Sequence, residues 1–289
     1  MLRRVQERRI GFHTSIAGGV QFAIERAKAL GCRTLQIFSH NPRGWAVKGI
    51  SKNEADEFVR LRKLYDIDPV FVHTSYLINL ASSKSDIYSK SIKLMVKEME
   101  LAEMLGADYV VLHPGSSSDS EARVARQRII KALRTICAEA GGNAKLLLEN
   151  TAGERGDLTS RIEDLAEIIQ EAGATGRSAL IAGICLDTCH AFQAGYDIRS
   201  EKGVGKMVRE IEKYIGIKNL KLIHLNDSKR PFNSRVDRHE HIGKGFIGKE
   251  GFKIFLNHPS FRDIPLILET PKENEKDDIR NLRTVKSLF

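Results

Sequence analysis

Apolar and polar residues along this chain fall into alternating blocks. Short apolar runs recur, and most close on a polar or charged side chain. They are Arg9 to His13, Thr34 to Phe38, Pro69 to His73, Tyr109 to His113, Lys145 to Glu149, Gly183 to Asp187, Lys221 to His224 and Pro265 to Glu269. Near-continuous apolar runs of this length read as strands buried on both faces, the pattern of a parallel sheet. Between them lie stretches with apolar residues at helical spacing: Val20 to Leu30, Ser89 to Leu105, Arg123 to Ala140, Leu165 to Ala172 and Val204 to Ile215. Each stops at glycine, namely Gly31, Gly106, Gly141-Gly142, Gly173 and Gly216, where the chain can leave the helix through positive φ. Eight strands with intervening helices predict an α/β fold, a single (β/α)8 barrel. No linker, repeat or low-complexity stretch divides the 289 residues. One domain over 1–289 is expected, with residues 1–8 as a basic N-terminal extension.

The strand ends carry the chemistry. Barrel enzymes work at the C-terminal ends of their strands. Here the third to eighth runs end in His73, His113, Glu149, Asp187, His224 and Glu269, all good metal ligands. A lone histidine at a strand end is usually just hydrogen-bonded there; six ligand types in succession are hard to explain as packing. Strand alternation adds a check, because the residue two before each should point inward one layer down. Those residues are Phe71, Val111, Leu147, Cys185, Leu222 and Ile267, an apolar floor for a polar site.

Loops just beyond supply more donors. His190 follows Asp187 by three, and Asp237 and His239 form an Asp-x-His pair whose side chains share a direction in extended chain. Together these nine residues exceed one ion's needs and suit two or three. Mixed histidine and carboxylate ligation fits zinc, with manganese or iron as substitutes. Clustered ions suit phosphodiester hydrolysis, since they can generate hydroxide near neutral pH and hold attacking and leaving oxygens in line. His13 is expected to back a ligand rather than be one. His40, His241 and His258 read as ordinary loop or surface residues.

Charge points the same way. The net charge of +9 favours a polyanionic partner, nucleic acid foremost. The four cysteines, Cys32, Cys137, Cys185 and Cys189, have irregular spacing and read as small buried residues in a reducing compartment. No secretory signal or membrane-spanning run is evident, so a cytoplasmic protein with no membrane partner is expected, monomeric by default.

Several longer motifs then become recognisable. His73 to Ala81, Leu112-His-Pro-Gly115, Glu149 to Gly153, Leu186 to Phe192, His224 to Lys229, Asp237-Arg-His239 and Ile242 to Gly245 together resemble the endonuclease IV family, in order and over nearly the whole chain. The resemblance implies a trinuclear zinc site. His73 and His113 would bind one zinc, with Glu149 bridging to a second completed by Asp187, His224 and Glu269. His190, Asp237 and His239 would hold the third. The implied reaction is hydrolysis of the phosphodiester 5′ to an abasic site in double-stranded DNA, with Glu149 at its centre and a 3′-hydroxyl and 5′-deoxyribose phosphate as products. Trimming of blocked 3′ ends is the implied companion activity.

The resemblance also implies side chains that enter DNA: Arg43, within Asn41-Pro-Arg-Gly-Trp45, and Tyr76 with Leu77. A wedge fills the stack while the damaged nucleotide swings out, which costs least where a base is already missing. Asn41 belongs to this surface, Trp45 reads as packing, and Asn226, Lys229 and Arg238 are candidate phosphate contacts. One departure is visible at Glu154-Arg-Gly-Asp157, where the family loop typically has Gln-Gly. It is expected to alter a minor DNA contact and to stay clear of the ligands. The rival reading is a sugar isomerase or epimerase on the same barrel, which would need fewer ligands and no wedge.

Overall fold

A computed structural model describes residues 8–117, 120–173, 180–274 and 276–289. The strands are β1 (Ile10–Phe12), β2 (Leu35–Phe38), β3 (Val70–His73), β4 (Tyr109–Leu112), β5 (Lys145–Glu149), β6 (Ile181–Asp187), β7 (Leu220–His224), β8 (Asp227–Ser228), β9 (His239–Glu240) and β10 (Leu266–Leu268). The helices are α1 (Phe22–Ala29), α2 (Lys52–Leu64), α3 (Ser85–Met104), α4 (Ala122–Glu139), α5 (Ile162–Gly173), α6 (Thr188–Gln193), α7 (Glu201–Tyr214), α8 (Gly248–Leu256) and α9 (Asp277–Lys286).

Eight strands form one parallel sheet in the order β1-β10-β7-β6-β5-β4-β3-β2. A parallel bridge between His13 and Gln36 brings its two edges together. The result is the expected (β/α)8 barrel. The small hairpin β8-β9 sits apart, with Asp227 opposite Glu240 and Ser228 opposite His239, and so delivers His239 back to the barrel mouth.

Alternation along the strands creates two separate apolar regions. Outward residues such as Val70, Val72, Val110, Leu112, Leu146 and Leu148 join the large core beneath the helices. Inward residues form their own cluster of Phe71, Val111, Leu147, Cys185, Leu222 and Ile267. That cluster is the expected floor, residue for residue. Phe71 stacks on Tyr109 one layer further down, with ring centroids 5.5 Å apart.

All five expected helices form, with ends shifted by a few residues. The sequence pattern does not single out α2, although its start is a capping box: Ser51 accepts from Glu54 N while Glu54 bonds back to Ser51 N. Arg8 is held against the barrel, donating to the carbonyls of Leu256 and Arg262; residues 1–7 of the expected extension lie outside the described residues. Among the described residues, no helix is long and apolar enough to cross a membrane.

Candidate metal centre at the barrel mouth

The strand ends converge on Glu149. β3, β5, β6 and β7 end on His73, Glu149, Asp187 and His224, while His113 and Glu269 immediately follow β4 and β10. Glu149 is fully buried. Its Oε2 lies 3.0 Å from His113 Nε2 and 3.4 Å from His73 Nε2. Its Oε1 lies 3.0 Å from His224 Nδ1 and 3.4 Å from His190 Nδ1. Glu269 Oε2 approaches the same His224 nitrogen at 3.3 Å. On the other side, Asp237 lies 3.2 Å from His190 Nε2 and 3.5 Å from His239 Nε2, and Asp187 Oδ2 is 3.6 Å from His239 Nε2. All nine predicted ligand residues therefore meet in one place.

Backbone carbonyls aim the imidazoles. His73 Nδ1 sits 2.8 Å from Thr74 O, His190 Nδ1 2.9 Å from Asn150 O and His239 Nδ1 3.2 Å from Glu269 O. A carbonyl only accepts, so each Nδ1 carries a proton and Nε2 is the nitrogen that faces the centre. Buried His190 Nε2, His239 Nε2 and Glu149 Oε2 find no hydrogen-bond partner among the described residues. Unpaired buried polar atoms are costly, and a shared cation is what this set fits.

The donors fall into overlapping groups. His73, His113 and Glu149 form one; Glu149, Asp187, His224 and Glu269 a second; Asp187, His190 and His239 a third. Asp237 joins His239 and Cys189 in a further group. The geometry thus sets Asp187 between the second and third groups, where the family resemblance alone assigns it to the second. Cys185 and Cys189 also approach these groups, and burial pushes both thiols up to about 12. All four cysteines are free and buried, as expected.

Electrostatics keeps the acids ionised. Burial disfavours the charge on Glu149, yet His113 and His224 beside it outweigh that effect and hold its carboxyl well below the ordinary range. Burial likewise disfavours Asp237, and His190 with His239 holds it below its ordinary value. Negative charge concentrated at a barrel mouth is what divalent ions require.

Residues behind the ligands fix their directions. Gln36, buried in β2, donates to Glu269 Oε1 at 2.6 Å, and its carbonyl oxygen lies 2.8 Å from His224 Nε2. Asn150 brackets the Asp187 backbone, accepting from its N–H at 2.7 Å. Asp187 itself caps α6, accepting from His190 N at 2.8 Å. Gln36 is absent from the residues expected at the site; its signal was a lone amide inside an apolar strand run. His13 does back a ligand, 3.4 Å from Glu269 Oε1.

Three expectations need correction. Asn226 is fully buried and bonded to Asp187 and Glu269, so it cannot reach a phosphate. His40 and His241 are buried rather than surface residues: His40 lies 2.9 Å from Glu98, and His241 3.1 Å from the Asn281 amide. His258 is the loop residue expected, capping a short 3-10 turn. The Glu154 loop does meet a predicted ligand residue, because Glu154 Oε1 accepts from Asp237 N at 3.0 Å.

A cleft of about 1080 Å³ opens over the centre, lined among others by His113, His190, Asp237, Arg43, Tyr76 and Lys272. Tyr76 stands on its rim, 68% exposed, its ring edge-on to Phe38. Leu77 beside it is half-buried, and Arg43 and Asn41 are exposed. Lys229 and Arg238 are also exposed, joined through the Lys229 N to Arg238 O bond of 2.9 Å. Trp45 packs against the core. Two glycines show why the motifs read as they do. Gly115, at φ +110°, has Asn79 Oδ1 2.3 Å from where a Cβ would sit, and a Cβ on Gly245 would meet Ser228 O at 2.3 Å.

A parallel barrel with clustered histidines and carboxylates at its C-terminal mouth defines a metal-dependent barrel enzyme. Residues 24–287 match the family described as xylose isomerase-like TIM barrel. A probable endonuclease 4 of Halothermothrix orenii is 43% identical over 269 residues, covering 93% of this chain and 95% of the relative. The crystal structure of endonuclease IV from Thermus thermophilus superimposes with a TM-score of 0.84 at 36% identity, covering 97% of this chain and 98% of that one. A D-tagatose 3-epimerase-like protein, at 21% identity and a TM-score of 0.72 over 97% of this chain and 96% of that one, shares the fold alone. The chain belongs to the endonuclease IV family.

Proposed function

We propose that this protein is a metal-dependent AP endonuclease that hydrolyses the phosphodiester 5′ to abasic sites in double-stranded DNA, leaving a 3′-hydroxyl and a 5′-deoxyribose phosphate. The observation that carries the reading is the convergence of Glu149 Oε2, His190 Nε2 and His239 Nε2, without hydrogen-bond partners among the described residues, beneath a cleft whose rim holds Tyr76 and Arg43.

Three zinc ions suit the donor set, with manganese or iron as substitutes. His73, His113 and Glu149 would hold the first; Glu149, Asp187, His224 and Glu269 the second; His190, Asp237 and His239 the third, with Asp187 alongside. When bound, the ions would supply Lewis acidity toward phosphate oxygens and activate water near neutral pH. Glu149 bridges the first two groups and fixes their spacing. Gln36 and Asn226 hold Glu269 and Asp187 in line, and buried Phe71, Val111 and Leu147 keep water out from below. Tyr76 and Leu77 fill the stack beside the lesion while Arg43 enters with them. Lys229 and Arg238 meet backbone phosphates, aided by the net charge of +9.

The same arrangement serves blocked 3′ ends, where a terminal phosphate group takes the scissile position. The chain acts as a monomer and as one domain over 1–289. Its free thiols suit a reducing compartment, so the cytoplasm is its proposed location. A sugar-epimerase reading has only the fold in its favour, and it leaves His190, Asp237, His239 and the exposed Tyr76 without a purpose.

The test is cleavage of a duplex bearing one abasic-site analogue, before and after stripping metal with a strong chelator. Incision on the 5′ side, lost on stripping and restored by zinc, is expected. No incision by zinc-loaded protein overturns the reading and makes ketose substrates the next assay.

A further inference from the structure

Helix α3 carries a carboxylate where packing wants none. Glu98 is fully buried, on a helix whose other buried residues are Ser91, Leu94, Met95, Met99, Leu101 and Ala102. Burying a charge costs several kcal/mol unless it is bonded, so its partners reveal its role. Glu98 Oε1 accepts from Ser75 N at 3.0 Å and lies 2.9 Å from His40 Nε2; Oε2 lies 3.3 Å from Ser75 N. These partners come from the two loops that carry the rim residues, His40 preceding Arg43 and Ser75 preceding Tyr76. The loops are also tied directly. Ser75 Oγ donates to Pro42 O at 2.7 Å and accepts from Leu77 N at 3.2 Å. Two turns earlier on the same face of α3, buried Ser91 accepts from Asn79 N at 3.0 Å, pinning the far end of the second loop.

We infer that Glu98 is a positioning residue for DNA engagement: through Ser75 and His40 it clasps the Arg43 loop to the Tyr76-Leu77 loop, so that both enter the duplex as one preformed wedge. The inference rests on the reading of those loops as the DNA-entering surface. A carboxylate serving the core alone would have no need to draw its donors from two rim loops. Loops ordered in advance spare the complex the entropy of ordering them on DNA, so the clasp acts on binding and leaves the ligand residues untouched.

The experiment compares wild type, Glu98→Gln and His40→Phe on an abasic-analogue duplex, with zinc content measured for each. Fluorescence of a 2-aminopurine opposite the lesion reports unstacking by the wedge. Both variants are expected to raise KM about tenfold, the worth of one charge-assisted hydrogen bond. Their kcat should stay within about twofold and their zinc content should match wild type, because binding energy used equally before and in the transition state appears in KM. The 2-aminopurine signal should weaken. If Glu98→Gln does not fold, His40→Phe, which removes the side-chain partner of Glu98, decides alone. Unchanged KM and fluorescence in variants of a wild type that cuts would overturn the clasp and leave the proposed function standing. A fall in kcat that tracks lost zinc would overturn it too, marking the contacts as structural only. A wild type that does not cut removes both readings together.

Discussion

The Asn226 amide donates to Asp187 Oδ2 at 2.6 Å, while its carbonyl oxygen accepts from Glu269 N at 2.8 Å. One buried side chain thus ties two strand ends that each present a carboxylate to the centre. Groups behind a metal ligand typically change metal affinity 10–100-fold when removed. Asn226→Ala should therefore weaken zinc retention by about that factor in a chelator competition. It should also destabilise the stripped protein by about 1–3 kcal/mol, since Asp187 Oδ2 and Glu269 N lose their partner. Zinc affinity equal to wild type would remove Asn226 from the site's framework.

Glu149 is the residue that faces both sides of the centre, with one oxygen toward His73 and His113 and the other toward His224. Glu149→Gln keeps the shape but replaces one acceptor oxygen with a donor. Cleavage should fall by more than about 100-fold, beyond what losing a residue behind a ligand costs. DNA affinity should largely survive, because Arg43 and Tyr76 stand on separate loops. Full activity in this variant would sink the bridging role.

Much of this was legible in the sequence because strand burial and strand ends are local signals. A run such as Tyr109 to His113 states both that it is interior strand and which residue reaches the mouth. Alternation then yields Val111 below, and the inner cluster follows that rule without exception. What the sequence hid is long-range pairing. Asn226 looks like a loop amide until the barrel closes and sets it between Asp187 and Glu269. His40 looks like surface until α3 brings Glu98 beneath it, 58 residues away in sequence. Asp187 stands between two donor groups only because α6 turns His190 back over it. The acidic loop reads as harmless to the ligands because nothing local links Glu154 to Asp237, 83 residues on.

Metal should stabilise the fold as well as supply the chemistry, because the unfolded chain cannot assemble nine donors. A ligand present at about 1,000 times its Kd adds about 4 kcal/mol. For a chain of this size that amounts to roughly 7 °C in thermal midpoint. Stripping zinc should lower Tm by that order, and adding it back should restore the value. An indifferent Tm would argue that the converging histidines and carboxylates do not hold ions together.

Tyr76 exposes 68% of its surface and meets Phe38 only edge-on, so folding has little use for its ring. Tyr76→Ala should leave stability within about 0.5 kcal/mol of wild type and zinc content unchanged. Affinity for abasic duplex should drop about tenfold, within the range that aromatic stacking on a base contributes. An equal loss on undamaged duplex would show that the ring adds general adhesion and not lesion recognition.

Glu154 offers a separate handle on the third donor group. Its Oε1 accepts from the backbone N–H of Asp237 at 3.0 Å, and Asp157 Oδ2 in turn accepts from Glu154 N at 2.8 Å. The loop thereby braces the segment that carries Asp237 and His239. Glu154→Gln keeps an acceptor oxygen and should leave metal content unchanged. Glu154→Ala removes it and should loosen Asp237, so that, on the proposed three-zinc reading, one of the three equivalents leaves first under mild chelation. Because the glutamate also places negative charge near the DNA path, both variants should bind duplex slightly more tightly at low salt. That gain should fade as salt rises, whereas the metal effect of the alanine variant should not. If Glu154→Ala released all its zinc at the wild-type chelator concentration, the brace would have no hold on the third group, and the acidic loop would act through charge alone.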